Sequence, residues 1–171
     1  ISGGSRFAMA LEDVLSEARS LFPRKRGLPE FSLVISHRMR RSINKRINEL
    51  SKKDALKLEG EDDFYVYPGL RLIGHLQEKK QGVLNNAFYI VKTVAEDKIT
   101  IQCKISGKEM TLSHEFVAQY LRLSHALTIA GIQGATLDGR IRIFTNHPRF
   151  TLRHLFVTIT RATSYANVEV I

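Results

Sequence analysis

The stretch HALTIAGIQGAT, residues 125–136, decides the predicted fold. An apolar run leads there into a segment with two glycines and a glutamine, which is the order expected where a buried strand passes into a turn and a helix. We therefore predict a strand over residues 123–128, and a turn followed by a helix over residues 129–135.

Strands and helices alternate on both sides of this stretch. Buried-looking runs rich in β-formers predict further strands, and apolar residues three and four positions apart predict helices. The predicted strands are 31–36, 140–144 and 168–171, and the predicted helices are 9–21, one that starts at residue 37, and 152–162. This alternation indicates an α/β fold with a parallel sheet and helices packed on it.

The middle of the chain has a different pattern. Short segments of β-forming residues over positions 68–112 are separated by glycines, paired asparagines and acidic turns, which is typical of antiparallel strands. We predict a small antiparallel β-barrel, residues 61–112, inserted into a parallel-sheet domain of residues 11–60 and 113–171. Residues 1–10, which are rich in small side chains, are expected to be a leader.

Composition narrows the function. The chain has 26 Lys and Arg against 17 Asp and Glu, a net charge of +9, so its surface attracts phosphates and other polyanions. The single cysteine, Cys103, excludes an intramolecular disulfide framework and favours an intracellular setting, without distinguishing nucleus, cytoplasm or a viral replication site. No apolar stretch approaches the ~20 residues of a membrane span.

Two elements near the end of the chain are suited to phosphate. Gln133 and Gly134 lie where the strand becomes a helix, and glycine lets backbone N–H groups approach an anion. Arg161, in LFVTITRAT, has a guanidinium that can neutralise a transferring phosphoryl group. Taken singly, each has a plainer interpretation, a structural turn for the glycines and a surface or salt-bridged residue for the arginine.

Together the two elements resemble motifs V and VI of superfamily 1 DNA helicases of the RecD-like and Pif-like branch. There motif V commonly is A-x-T-(I/V)-H-K-S-Q-G-x-T and motif VI is (V/A)-L-(S/T)-R-A. The matching positions are Ala126, Thr128, Ile129, Gln133, Gly134, Thr136, Thr160, Arg161 and Ala162. Upstream, FSLVISHRMRRSINKRIN resembles the strand and helix of motif IV, and PGLRLIGHLQEKKQGVLNNAFYIV resembles the inserted barrel of that family.

The resemblance implies the second RecA-like domain of an ATP-dependent DNA helicase with roles in replication or repair. Arg161 would be the arginine finger, and Gln133 and Gly134 would sense the γ-phosphate of ATP. Single-stranded DNA, or RNA, would contact the chain on its upper face. The expected contact residues there are Ser36, His37, Arg38 and Thr128.

The resemblance also implies a missing partner. The 171 residues contain no G-x-x-x-x-G-K-(S/T) sequence, so ATP and Mg²⁺ would bind only together with an N-terminal P-loop domain of the same protein. No metal site is predicted in this chain, and we expect it to be inactive as an ATPase alone. Where the family often has His-Lys, this chain has Ala130-Gly131.

A second hypothesis needs no helicase. A non-catalytic basic α/β module that binds nucleic acid or a protein would also account for the charge and for the absence of a P-loop. Hydrolase and zinc-enzyme chemistry is disfavoured, because the chain has neither a G-x-S-x-G sequence nor an H-E-x-x-H spacing among its six histidines.

Overall fold

A computed structural model describes residues 3–76, 78, 80–132 and 134–171, with side chains from residue 10 onward. The chain divides into two compact units. The first unit comprises residues 1–40 and 126–171, and the second unit comprises residues 41–125. In the described part of the chain, no helix is both long and apolar enough to cross a membrane.

The first unit is built on a parallel sheet. Its helices and strands are α1 (Gly3–Leu21), β1 (Phe31–Val34), the first turn of α2 (His37–Leu50), β9 (Ala126–Thr128), β10 (Ile141–Ile143), α4 (Leu152–Ile159) and β11 (Val168–Val170). The strand order is β11-β10-β1-β9, and every neighbouring pair is parallel. The α/β fold with a parallel sheet that the sequence predicted is therefore confirmed.

Every residue of these four strands is buried. Parallel strands are covered on both faces, so they are apolar throughout instead of alternating. Two charged residues depart from this apolar pattern: Arg142 and Glu169 are buried and face each other on neighbouring strands. Helix α1 begins at Gly3, within the segment that we expected to be a leader.

Two predicted helices differ from the structure. Over residues 129–135 the described part of the chain has a single 3-10 turn (Ala130–Ile132), because the Thr128 hydroxyl accepts the Gly131 N–H (3.2 Å) and closes the backbone immediately after β9. Helix α4 ends at Ile159, where we had predicted it to continue to residue 162. Residues 161 and 162 instead pair with a distant segment, as described below.

The second unit is dominated by antiparallel strands. Its elements are the rest of α2, β2 (Leu56–Leu58), β3 (Phe64–Val66), β4 (Arg71–Gly74), β5 (Phe88–Val94), β6 (Lys98–Cys103), β7 (Glu109–Ser113), α3 (His114–Tyr120) and β8 (Leu121–Leu123). Strands β2 and β3 form a hairpin, and the other five form a sheet in the order β7-β6-β5-β4-β8. This sheet is the inserted antiparallel element that the sequence predicted.

An apolar core fills the second unit. Alternate residues of β5 and β6 are buried, as expected for strands with one face on the core. Asn48 anchors the hairpin: its side chain accepts the Tyr65 N–H (2.8 Å) and donates to the Tyr65 carbonyl (2.9 Å). The predicted insertion, residues 61–112, lies inside this unit, which extends further because β8 pairs with β4.

Candidate functional site

The segment that follows β9 forms a tight turn with a positive-φ glycine. Gly134 has φ +80°, and no heavy atom lies within 4 Å of the position a Cβ would occupy. The Ala135 N–H donates to the Ile132 carbonyl (3.0 Å) and closes the turn. The helix that we had predicted at this point is absent among the described residues. An anion here would have to be held by backbone N–H groups and by neighbouring side chains.

Arg161 lies in the turn after α4, although we had predicted that it would lie on the helix. The Arg161 N–H donates to the Thr158 carbonyl (3.1 Å). Thr160 caps the end of the helix, and its hydroxyl donates to the Phe156 and Val157 carbonyls. The Nε atom of Arg161 is buried and has no hydrogen-bond partner among the described residues. A buried guanidinium nitrogen without an acceptor is costly, so the site is suited to an external anion.

A backbone link joins the glycine turn to Arg161. The Leu137 N–H donates to the Arg161 carbonyl (2.8 Å), and Leu137 forms a parallel bridge with Ala162. Leu137 lies three residues after Gly134, so two segments far apart in sequence converge at one place. Next to it is a hollow of about 380 Å³, lined by Thr160, Ala162, Thr163, Ser164 and Tyr165.

Ser36 and His37 lie beyond the carboxyl end of β1. Thr128 ends the adjacent strand β9, where it pairs with Val34. In open α/β sheets, ligands bind beyond the carboxyl ends of the strands, which is where these residues lie. The Ser36 hydroxyl accepts the Met39 N–H (3.2 Å) as an N-cap does, which leaves its proton available for donation.

Thr128 is less accessible than the other three predicted nucleic-acid contacts. Its residue exposure is 7%, whereas Ser36 is half-buried and His37 and Arg38 are exposed. The hydroxyl of Thr128 is also occupied by the Gly131 N–H. Thr128 therefore shapes the turn after β9 and presents little surface of its own.

Arg40 was missed by the sequence interpretation. It is 2% exposed, and its Nε donates to the Nδ1 of His37 (3.1 Å). Because arginine only donates, Nδ1 is the acceptor, and the neutral ring of His37 carries its proton on Nε2. Arg40 lies three and seven positions before Ile43 and Ile47, on the buried face of α2. This spacing could have predicted from the sequence that Arg40 is buried.

Of the predicted site residues, Gly134 lies three positions before Leu137, which bonds to Arg161, and Ser36 and His37 follow the strand whose Val34 pairs with Thr128. Arg38 is exposed on the first turn of α2. Gln133 lies outside the described residues.

The architecture of the first unit defines a class: an open parallel α/β domain, in which ligands commonly bind beyond the carboxyl ends of the strands. No protein-family model matches this sequence, and no curated protein matches it. Solved structures do match. A Pif1 helicase from Bacteroides in complex with ADP-AlF3 and single-stranded DNA superposes with a TM-score of 0.69 at 17% identity, covering 93% of this chain and 45% of that one.

Two further structures agree with it. The Bacteroides Pif1 bound to single-stranded DNA has a TM-score of 0.70 at 18% identity. The Pif1 helicase from Candida albicans has a TM-score of 0.67 at 13% identity, covering 94% of this chain and 50% of that one. At these identities the likeness shows the fold: this chain folds like about half of a Pif1 helicase.

Proposed function

We propose that this chain is the C-terminal motor domain of a superfamily 1, Pif-like DNA helicase, and that it supplies half of an ATP site and part of a track for single-stranded nucleic acid. The observation that carries the proposal is the backbone link between Leu137 and Arg161, which brings the motif V turn and the motif VI arginine together. The fold likeness supports it, since the Pif1 structures were solved with a nucleotide analogue and with single-stranded DNA.

The residues at this link fit a nucleotide. ATP supplies the phosphoanhydride bond whose hydrolysis drives the motor. Arg161 would place a permanent positive charge beside the γ-phosphate, where negative charge grows in the transition state. Gly134, with its left-handed backbone and open surroundings, would let the turn approach the phosphate closely, and Gln133 would donate to it. The P-loop domain of the same protein would hold Mg²⁺ and the other phosphates.

The edge beyond β1 would hold the nucleic acid. Ser36 and the Nε2–H of His37 are donors suited to phosphate oxygens, and Arg38 adds a positive charge on the same helix turn. Thr128 would act through the turn that it shapes. Such contacts read the backbone and carry little base information, so we expect sequence-tolerant, salt-dependent binding to single-stranded DNA, with RNA as the alternative ligand.

Substitution of Arg161 in the full-length protein tests the ATP site. We expect Arg161→Ala to lower the kcat of DNA-stimulated ATP hydrolysis by about 10³-fold, because an arginine finger contributes on this scale to the transition state. The KM for ATP should change much less. Arg161→Lys should recover only a small part of the rate, since a lysine lacks the planar fork.

Arg153→Ala is the matched control, because Arg153 lies exposed on α4 and has no hydrogen bond or ion pair among the described residues. It should leave kcat unchanged. Equal rates for Arg161→Ala and the parent protein would refute the proposed role of Arg161.

The coding region upstream offers an independent test. We expect it to encode a P-loop and a strand that ends in paired acidic residues, within about 200 residues, the usual size of one domain. A complete protein without them would instead support the non-catalytic module, which would bind nucleic acid or a protein without turning over ATP.

A further inference from the structure

We propose that the basic turn of residues 24–27 is a second nucleic-acid contact, at the other edge of the parallel sheet from Ser36 and Thr128. The turn packs against β10 and β11, whereas Ser36 and Thr128 lie at β1 and β9, and β11 and β9 are the two edges of the sheet. This surface goes beyond the motor function and does not depend on it, since none of its residues belongs to the ATP site.

The backbone of the basic turn is held by buried charges. The Glu169 carboxylate, which is fully buried, accepts the Lys25 N–H (2.9 Å). The Arg142 Nη2 donates to the carbonyls of Lys25 (3.2 Å) and Gly27 (3.0 Å), and the same guanidinium binds Glu169. Gly27 permits the tight path with φ +81°. A backbone fixed in this way loses little further entropy on binding.

Positive charge is in excess around the turn. Arg24, Lys25 and Arg26 are exposed, and the side chains of Arg24 and Arg26 have no partner among the described residues. Arg140 and Arg142 share the single carboxylate of Glu169. Glu30 is the one further acidic side chain that bonds to this region in the described structure, and it accepts the Arg140 N–H.

The basic turn forms the wall of a hollow. Arg24, Lys25, Arg26, Gly27 and Arg142 line this hollow of about 350 Å³. The Nη1 of Arg142 makes none of the hydrogen bonds described above, so part of the guanidinium can reach an anion there. Lys25 is further anchored through its Nζ, which donates to the Ala166 carbonyl.

The lining favours a nucleic-acid backbone over a protein partner. Protein interfaces have an apolar or aromatic centre, and this hollow is lined by basic side chains and one glycine. Three consecutive residues place their Cα atoms across up to about 7 Å, and their long side chains extend this reach, so they can contact more than one phosphate of a polynucleotide. Two of the three are arginines, whose planar donors fit phosphate oxygens.

The test removes the charges and leaves in place the backbone bonds of the turn to Glu169 and Arg142. The triple variant Arg24→Gln, Lys25→Gln, Arg26→Gln would be compared with the parent full-length protein, without nucleotide, for binding to a labelled oligo-dT of ~20 nucleotides across a salt series. The slope of log K against log[salt] should fall by about 2, because each lost phosphate contact contributes about 0.7 with single strands. Affinity at about 0.1 M salt should fall at least tenfold.

A second triple variant, Lys92→Gln, Lys98→Gln, Lys104→Gln, removes the same charge from exposed lysines of the second unit. Its slope should change by much less. Equal slopes for the two variants, or an unchanged slope for the first, would overturn the proposal and leave an acidic protein as the alternative partner. The single variants Arg24→Gln and Arg26→Gln, which break no contact with the described residues, cover the case in which the triple variant folds poorly. The rate of DNA-stimulated ATP hydrolysis, measured on the same variants, distinguishes failure of this proposal from failure of the motor proposal.

Discussion

The two units differ in what they bury. The second unit has an apolar core, and the buried polar side chains in its described part are Asn44, Asn48, Ser124 and His125, of which Asn48 fixes a hairpin. The first unit buries charge: Arg142 and Glu169 lie on the neighbouring strands β10 and β11 and hold a loop, and Arg40 bonds to His37. A buried charge is costly unless paired. Its presence indicates that the first unit keeps particular surface loops in place.

The net charge follows the same division. The first unit has twelve lysines and arginines against six acidic residues, which is +6 of the chain's +9, in half of its length. The second unit thus contributes folding stability through apolar burial, whereas the first unit combines a stable sheet with an electropositive surface. The following variants test this division, from the largest expected effect to the smallest.

Removing the buried carboxylate should cost the most stability. Glu169→Gln leaves Arg142, whose side chain is 6% exposed, without its counter-charge. We expect the free energy of unfolding, measured by urea denaturation, to fall by about 3–5 kcal/mol, as for other broken buried pairs. The control Glu12→Gln breaks the exposed pair with Arg19 and should cost no more than about 1 kcal/mol. Similar losses for the two variants would contradict a special role for buried charge.

Mild acid should act on the second unit first. Burial, together with the positive charge of Arg71, lowers the pKa of His125 from 6.5 to about 4. The unfolded chain therefore takes up a proton near pH 6.5 and the folded chain only near pH 4, so stability is complete above this window and is lost as the pH falls through it. Between about pH 7 and about pH 4 the loss is about 3 kcal/mol.

Urea denaturation at several pH values measures this loss. His125→Leu should abolish it, and His147→Leu, which changes a ring in an exposed turn, should not. The first unit should respond only at lower pH. Burial opposes ionisation of Glu169, but hydrogen bonds from Lys25 N–H and from Arg142 and Arg140 prevail and hold its pKa below 4.5. Its stabilisation is present above 4.5 and is lost as the pH falls below that value. Persistence of the loss between pH 6.5 and 4 in His125→Leu would assign it to other groups.

Two matched glycines give the smallest effect and the finest comparison. Gly134 in the first unit and Gly69 in the second have φ +80° and +90°, and each has open space where a Cβ would lie. Alanine at either position should cost about 1 kcal/mol, because the backbone is left-handed there, and asparagine should cost less. Only Gly134→Ala should also lower ATP hydrolysis in the full-length protein. An equal decrease with Gly69→Ala would argue against a phosphate contact at Gly134.

Much of the fold follows from local pattern. The continuous apolar runs of β1 and β9 predicted buried parallel strands, and the alternation in β5 and β6 predicted an antiparallel sheet. Ser36 was placed correctly where a strand passes into a helix. The predictions of a helix after β9 and of a longer helix α4 were wrong. There a threonine hydroxyl and the bridge between Leu137 and Ala162 override helical preference, and neither can be seen within a short window.

The sequence by itself determined the order of strands and helices, the excess of positive charge and the presence of Arg161 and the glycine turn. Periodicity and composition are local or additive properties, so they can be obtained from the chain alone. Tertiary structure decided which distant residues meet: Leu137 with Arg161, and Glu169 with Arg142 and Lys25. Those pairings depend on which strands lie side by side, because a hydrogen bond or a buried ion pair forms only between groups that the fold brings within about 3 Å.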